Sequence, residues 1–210
     1  MKYHDISPTI SSRLGVFPGD RGFSRVESMN FAQGHHLRLS HFETTVHLGA
    51  HVDSPGHYHR DGKGIESRSL EYYFGLCQVI RVDVARGKRI MPADLVKKRI
   101  TETRVLFYTG SFPDPERWNS DFCALSPELV HLLADQGVKL VGIDTPSIDP
   151  ESSKELESHS AVYVRDLAVL EGIVLNDVAE GIYQLVALPL KIEGADASPV
   201  RAILIEPYTL

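Results

Sequence analysis

The residues of this sequence that are best suited to chemistry are the histidines and the aspartate between positions 47 and 59. Four of the ten histidines of the chain fall within this short stretch, with His47 and His51 four residues apart and Asp53 two residues further on. Neutral imidazoles and a carboxylate are ligands that suit a borderline divalent ion such as zinc, and three of them leave a coordination position for water. A bound ion lowers the pKa of such a water from ~15.7 to ~7, so the segment predicts a metal site that activates water.

The composition of this segment favours an extended conformation, because its glycines and proline disfavour a helix. Side chains point to alternate faces of a strand, so the odd-numbered residues from 47 to 53 would share one face. Gly49 would leave room for an ion between His47 and His51, and the even-numbered apolar residues would face the opposite side. Asp53 could bridge two ions, because each carboxylate oxygen can bind a different metal. An HxxxH pair alone is commonly two surface histidines, but HxxxHxD followed by PxH rarely arises by chance.

The elements that must position these residues are mostly strands. Apolar and β-branched runs predict strands at residues 37–46, 78–84, 104–108, 138–143, 183–190 and 200–205. Helices are predicted at 92–99, at 127–136 and within 159–170; the clearest is 127–136, with Ser126 as N-cap and Gly137 as its stop. Strands outnumber helices and do not alternate strictly with them, so we expect an α/β fold with a mixed β-sheet core and flanking helices.

Length and composition predict a single globular domain over residues 1–210, because 42% hydrophobic and 24% charged residues are ordinary values. The net charge of -6 and the lack of a basic run argue against a nucleic-acid partner. Cys77 and Cys123 stand outside any metal-ligand or redox motif, so we expect two reduced thiols in a cytoplasmic protein. No segment approaches the ~18 apolar residues of a membrane span, so no membrane partner is expected.

The stretch from His47 to His57 resembles the HxGTHxDxPxH signature of the cyclase-like metal-dependent hydrolases. The one departure is Ala50, where the signature has Thr; in the extended conformation this position faces away from the site. Within that family, the chain resembles the bacterial kynurenine formamidases, also called arylformamidases. The likeness continues through segments at residues 5–8, 17–20, 141–147, 170–172, 187–190 and 196–201.

The resemblance implies a swivelling β/β/α cyclase-like fold, a homodimer and a centre of two zinc ions, with manganese as an alternative metal. Residues matching His47, His51 and Asp53 hold one ion in that family. The same bridging aspartate holds the second ion together with residues matching His159 and Glu171, both present here. From the sequence alone, His159 would be a helix-surface residue and Glu171 a solvated carboxylate at a helix end.

The activity implied by the resemblance is hydrolysis of N-formyl-L-kynurenine to L-kynurenine and formate, a step of tryptophan degradation. His57 is the expected proton carrier between water and the leaving amine. Phe17 matches an aromatic position of the family and is either a wall for the substrate's aryl ring or a plug under a Pro-Gly turn. Asp144 could orient a ligand histidine or simply form a turn, and Arg201 could bind the substrate carboxylate or point to solvent.

Two other functions fit the same residues. A different hydrolase of the superfamily could open a small cyclic amide such as isatin, with manganese as its metal. A catalytically silent metal-binding protein would be expected to lack the proton carrier or a ligand, but His57, His159 and Glu171 are all present. A purely structural zinc site is disfavoured, because such sites are usually closed by four ligands and are often rich in cysteine.

Overall fold

A computed structural model describes residues 2–206 of the chain. In chain order its strands are β1 Tyr3–Asp5, β2 Ser24–Met29, β3 Leu39–Glu43, β4 His51–Asp53, β5 Phe74–Arg81, β6 Arg89–Ile90, β7 Arg104–Tyr108, β8 Ala124–Leu125, β9 Leu140–Ile143, β10 Ala168–Glu171, β11 Gly181–Val186, β12 Ala197–Pro199 and β13 Ile203–Ile205. Its α-helices are α1 Pro55–Tyr58, α2 Pro127–Asp135 and α3 Glu157–Val164. Among the described residues, no helix is long and apolar enough to cross a lipid bilayer.

Nine of these strands form one mixed sheet in the order β1-β13-β11-β5-β7-β9-β10-β4-β12. The central strands β5, β7, β9 and β10 run parallel, and the outer pairings are antiparallel. Strands β7, β9 and β10 are buried on both faces, which explains their nearly continuous apolar sequences. Leu106 packs into the hydrophobic core on one face, and Val105 and Phe107 pack into the core on the other. The predicted α/β fold with a mixed sheet core is confirmed.

Helix α2 forms where its capping signals predict. The Ser126 side chain accepts a hydrogen bond from the backbone N–H of Leu129, and Pro127 occupies the first turn. Gly137 follows the helix with φ of +85°, a conformation that ends a helix and that glycine adopts without strain. The apolar side chains of α2 pack into the same core as Phe107, so the helix covers one face of the sheet.

Two predicted helices are wrong in their extent. The segment 159–170 contains the end of α3 and then β10, because Asp166 takes a left-handed conformation (φ +49°) and breaks the helix. The apolar run after it pairs with β9 and β4 inside the sheet, so Glu171 lies on a strand and not at a helix end. Segment 92–99 forms only a 3₁₀ turn at Pro92–Leu95.

The chain before β4 is bent, so the extended conformation predicted for residues 47–53 holds only for His51–Asp53. Gly49 has φ of +58°, and a Cβ there would meet side-chain atoms of Pro8 and Leu14 at 3.0 and 3.1 Å. Glycine is therefore needed for this bend and not to leave space for an ion. A Cβ on Gly172 would lie 2.1 Å from the Gly49 carbonyl oxygen, so these two backbones touch. The even-numbered apolar residues are buried, as predicted.

Candidate metal centre

Strand β4 supplies the middle of the candidate site. It lies between β10 and β12, and the antiparallel register places Glu171 directly opposite His51. Asp53 is the last residue of β4, two positions beyond His51 and therefore on the same face of the strand. His159 comes from α3, and His47 comes from the bend that precedes β4.

The Asp53 carboxylate is shared between two groups of potential ligands. We call His47, His51 and Asp53 the outer triad, and Asp53, His159 and Glu171 the inner triad. In the outer triad, Asp53 Oδ1 is 3.1 Å from His47 Nδ1 and 3.5 Å from His51 Nε2. In the inner triad, His159 Nε2 is 3.3 Å from Asp53 Oδ2 and 3.4 Å from Glu171 Oε1. The structure therefore brings together all five residues that were expected to bind metal.

The donor atoms of this cluster fit a pair of divalent ions. Both carboxylate oxygens of Asp53 and the Nε2 atom of His159 are buried and have no hydrogen-bond partner. Buried polar atoms are almost always paired, since an unpaired buried charge is strongly unfavourable. Imidazole nitrogens and carboxylate oxygens in this combination are ligands of zinc and similar ions. An ion in each triad would satisfy the unpaired atoms, with Asp53 bridging the two ions.

Contacts behind the ligands fix which ring nitrogen faces the cluster. His51 Nδ1 donates to the backbone oxygen of Gly49 at 2.9 Å, which leaves Nε2 directed at Asp53 and Glu171. Such a contact fixes the tautomer and orientation of a metal-binding histidine. His159 has a comparable contact through Nδ1, which lies 2.8 Å from Asp149 Oδ2.

Asp144 and Arg201 lie apart from the five ligand residues. The Asp144 carboxylate accepts hydrogen bonds from the backbone N–H groups of Thr109 and Gly110, so it stabilises a turn. Asp144 does not contact a ligand histidine. The hydrogen bond that orients His159 is made by Asp149 instead. Arg201 is exposed and pairs with Asp5 at 2.7 Å.

The carboxylates of the cluster raise the pKa values of two of its imidazoles. Burial lowers the pKa of His47, but the nearby carboxylates of Asp53 and Asp196 outweigh burial and raise that pKa to about 9. Burial likewise lowers the pKa of His159, but Asp149 and Asp53 outweigh it and hold the pKa well above its ordinary value. Burial raises the pKa of Asp53, and its imidazole neighbours more than reverse this effect, so the carboxylate stays ionised. A metal ion would displace the imidazole protons.

His57 lies at the mouth of the cluster on α1, just outside the two triads. Its ring centre is 4.1 Å from that of His47, and its Nδ1 atom is 3.7 Å from Asp196 Oδ2. Burial lowers the pKa of His57 below its ordinary value, although Asp53 opposes the shift. At neutral pH the imidazole is therefore available to accept a proton.

A pocket opens onto the outer triad, with His47 and His51 among its lining residues. One wall is aromatic: the ring centre of Trp118 is 5.4 Å from that of Phe17 and 5.6 Å from that of Phe112. The Trp118 indole N–H donates to Glu151 at 2.6 Å, which fixes the ring. Phe17 thus lies beside the pocket, at the place where a planar aromatic group would pack.

Three residues around the cluster were not singled out from the sequence, namely Asp149, Asp196 and Trp118. Asp196 lies within a segment that carries the family resemblance, immediately before β12, whose Ala197 pairs with Asp53. Asp149 and Trp118 lie in irregular segments that show no periodicity. The only feature of the sequence that indicated Asp149 is its position ten residues before the ligand His159.

The fold is shared with solved structures of other proteins. A solved structure described as a potential metal-dependent hydrolase with cyclase activity superposes with a TM-score of 0.83 at 27% identity, over 97% of this chain and 96% of the other. A predicted metal-dependent hydrolase from Bacillus stearothermophilus gives 0.82 at 27% identity, over 97% of both chains. Isatin hydrolase A from Ralstonia solanacearum shares the fold, with a TM-score of 0.81 at 21% identity over 98% of this chain and 92% of the other. The Cyclase family model matches residues 4–150, which is most of the sequence, and the chain therefore belongs to the Cyclase family.

Proposed function

We propose that this protein is a metal-dependent hydrolase that converts N-formyl-L-kynurenine to L-kynurenine and formate in tryptophan degradation. The observation that carries the proposal is the shared Asp53 carboxylate, which is buried and unpaired between the two triads, while His47 and His51 of the outer triad line an aromatic pocket. Relatives of the same fold at 27% identity are described as metal-dependent hydrolases. The resemblance of the sequence to the kynurenine formamidases supplies the substrate.

The metal ions are proposed to be two zinc ions, one in each triad, with manganese as the alternative. When bound, they would polarise the formyl carbonyl group and lower the pKa of a water molecule. His47 and His51 would hold the outer ion, and His159 and Glu171 the inner ion, with Asp53 common to both. His51, Asp53, His159 and Glu171 are buried, and the low polarity of their surroundings strengthens their electrostatic interactions.

His57 is the proposed proton carrier of the reaction. Its Nδ1 atom faces Asp196, so we assign the exchangeable proton to Nε2. His57 accepts a proton from the attacking water and then donates it to the anilide nitrogen, which leaves poorly until it is protonated. Its depressed pKa keeps the imidazole neutral at the start of this cycle.

Phe17 is the proposed wall for the aryl ring of the substrate. It stands beside Trp118 at the rim of the pocket, with its ring available for edge-to-face or stacked contact. Replacement Phe17→Ala should raise KM for N-formyl-L-kynurenine and change kcat little, since the side chain does not reach the proton carrier. Steady-state kinetics would separate the two parameters, and an unchanged KM would remove Phe17 from the substrate site.

The substrate assignment is tested by offering N-formyl-L-kynurenine to zinc-loaded protein and following the absorbance of kynurenine. Efficient turnover supports the formamidase. A zinc-loaded protein without turnover of this substrate would eliminate the formamidase assignment but leave the metal centre in place.

Ring opening of a small cyclic aryl amide such as isatin is a second candidate function. It is favoured by the pocket lining, which among the described residues includes no lysine or arginine and suits an uncharged ring. Parallel assays with isatin and N-formyl-L-kynurenine, each with zinc and with manganese, distinguish the two activities. A metal-loaded protein that is inactive on both substrates would point to the third candidate, a silent metal-binding protein.

We also propose a homodimer in the cytoplasm. Strands β2 and β3 pair only with each other among the described strands, so they form a hairpin outside the main sheet. Its side chains Val26, Leu39 and Phe42 are more than half exposed, and an isolated hairpin is marginally stable in water. A second copy of the chain would cover these side chains; light scattering on the purified protein measures its mass.

The two free buried thiols agree with a reducing compartment.

A further inference from the structure

Asp149 is a buried carboxylate that lies behind His159, on the side of the ring away from the inner triad. Its side chain is 0% exposed, and its Oδ2 atom is 2.8 Å from His159 Nδ1. The other ring nitrogen, Nε2, faces Asp53 and Glu171 at 3.3 and 3.4 Å. The imidazole therefore stands between Asp149 and the place of the inner ion.

This contact determines which nitrogen of His159 can bind metal. An ionised carboxylate only accepts hydrogen bonds, so the Nδ1 atom of His159 must carry a proton to bond with Asp149. A neutral imidazole has one N–H group, and its lone pair is then on Nε2, the atom that faces the inner triad. A carboxylate in this position fixes the ring orientation and makes the histidine a more basic ligand.

Asp149 is itself held in place by contacts from separate parts of the chain. Its oxygens accept hydrogen bonds from the backbone N–H groups of Ser158 and His159 at 3.1 and 3.0 Å, in the first turn of α3. Arg89 on β6 donates to Asp149 Oδ1 at 2.7 Å and supplies the opposite charge. Because backbone and guanidinium donors both hold it, the carboxylate stays ionised and fixed.

The outer triad has no equivalent support. His51 is held through the neutral backbone oxygen of Gly49. His47 faces Asp196, but the side chain of that aspartate is 51% exposed to solvent. Only the inner triad combines a buried carboxylate behind its histidine with three buried ligand residues.

We propose that Asp149 is a positioning residue that acts through His159, and that it strengthens metal binding at the inner triad while leaving the outer triad unchanged. This inference depends on the metal centre of the proposed function. It assigns a role to a residue outside the five ligands and predicts that the two ions are held unequally.

The test is a zinc titration of metal-free wild-type protein and of Asp149→Asn, in competition with a chromophoric zinc chelator. The asparagine has the same shape, but its amide nitrogen would face N–H donors in place of an oxygen. One of the two zinc sites should weaken by about 10–100-fold, the usual effect of losing such a partner, and the other should not change. Equal affinities for wild type and Asp149→Asn at both sites would overturn the inference.

Two further proteins separate positioning from a general loss of structure. Ser158→Ala removes side-chain hydrogen bonds with the Leu125 carbonyl and with Arg89, but it keeps the contacts of Asp149 with Arg89 and with the His159 ring, and should bind zinc like wild type. In a His159→Ala background, Asp149→Asn should have no further effect, because the residue acts through the missing imidazole. An equal loss of affinity in both backgrounds would contradict this mechanism.

The wild-type protein provides a measurement that needs no variant. Nitrogen-15 NMR of the histidine rings in zinc-loaded protein should find the His159 proton on Nδ1, and a proton on Nε2 would overturn the proposal.

The zinc titrations also separate the failure of the metal centre from the failure of the role of Asp149. Wild-type protein that binds no zinc would refute the metal centre, whereas two wild-type zinc sites that both persist unchanged in Asp149→Asn would refute only the role of Asp149.

Discussion

Zinc loading of the metal-free protein should release close to two protons from its imidazoles at pH 7.5, besides the proton that a zinc-bound water loses. The pKa of His47 is about 9, so roughly 97% of its imidazole is protonated at that pH. The pKa of His159 is also well above its ordinary value, which supplies the second proton. Asp53 and Glu171 have lowered pKa values and are already ionised, so they contribute none. Ligand histidines must be neutral to bind zinc, so both protons leave.

Isothermal titration calorimetry in buffers of different ionisation enthalpy measures this number directly. The observed enthalpy changes linearly with the ionisation enthalpy of the buffer, and the slope is the number of protons released. The number should decrease as pH rises through 9, because His47 loses its proton before zinc arrives. Apparent zinc affinity should rise over the same range, since protons then compete less for the imidazole.

His47→Ala is the matched control for this experiment. It should release about one proton fewer and should keep the inner triad intact. Release of less than about half a proton by the wild type at pH 7.5 would show that the imidazoles are neutral beside an ionised Asp53 and would rule out the raised pKa values of His47 and His159.

Three further predictions follow from individual positions. His57→Ala should retain both zinc ions but lose about 10²–10⁴-fold in kcat, as measured by metal analysis and steady-state kinetics; unchanged turnover would exclude the proton-carrier role. Gly172→Ala should lower the free energy of unfolding by about 2–3 kcal/mol, because its Cβ would collide with the Gly49 carbonyl and its φ is +65°. Gly137→Ala has a similar φ but open space around it, so its cost in urea unfolding should be about 1 kcal/mol; equal costs would contradict the collision. Burial raises the pKa of Cys77 to about 12, so this thiol should resist alkylation at pH 8 until the protein unfolds, and rapid labelling of native protein would show that it is accessible.

The outer triad could be anticipated because its residues are neighbours in sequence. His47, His51 and Asp53 lie within seven positions, and their residue types already predict a metal site. The details of the backbone could not be anticipated, since the bend at Gly49 packs against Pro8, Leu14 and Gly172, which are far away in the chain. The alternation of side chains along a strand predicted that His47, His51 and Asp53 lie together, although only His51–Asp53 is a strand.

The inner triad could not be derived from local pattern. His159 and Glu171 are separated by the break at Asp166, and the apolar residues after that break are compatible with either a helix or a strand. Pairing with β4 and β9 decides in favour of a strand and brings Glu171 to face His51. Such long-range pairing is not encoded in any short window of sequence, so only the family resemblance indicated these ligands.

The proposed function is tested most directly by the turnover of N-formyl-L-kynurenine as zinc is added back to metal-free wild-type protein and to Asp53→Asn. Because both triads share Asp53, we expect zinc-dependent formation of kynurenine by the wild type and none by the variant. Turnover by metal-free protein or by Asp53→Asn, or no turnover by zinc-saturated wild type, would contradict it.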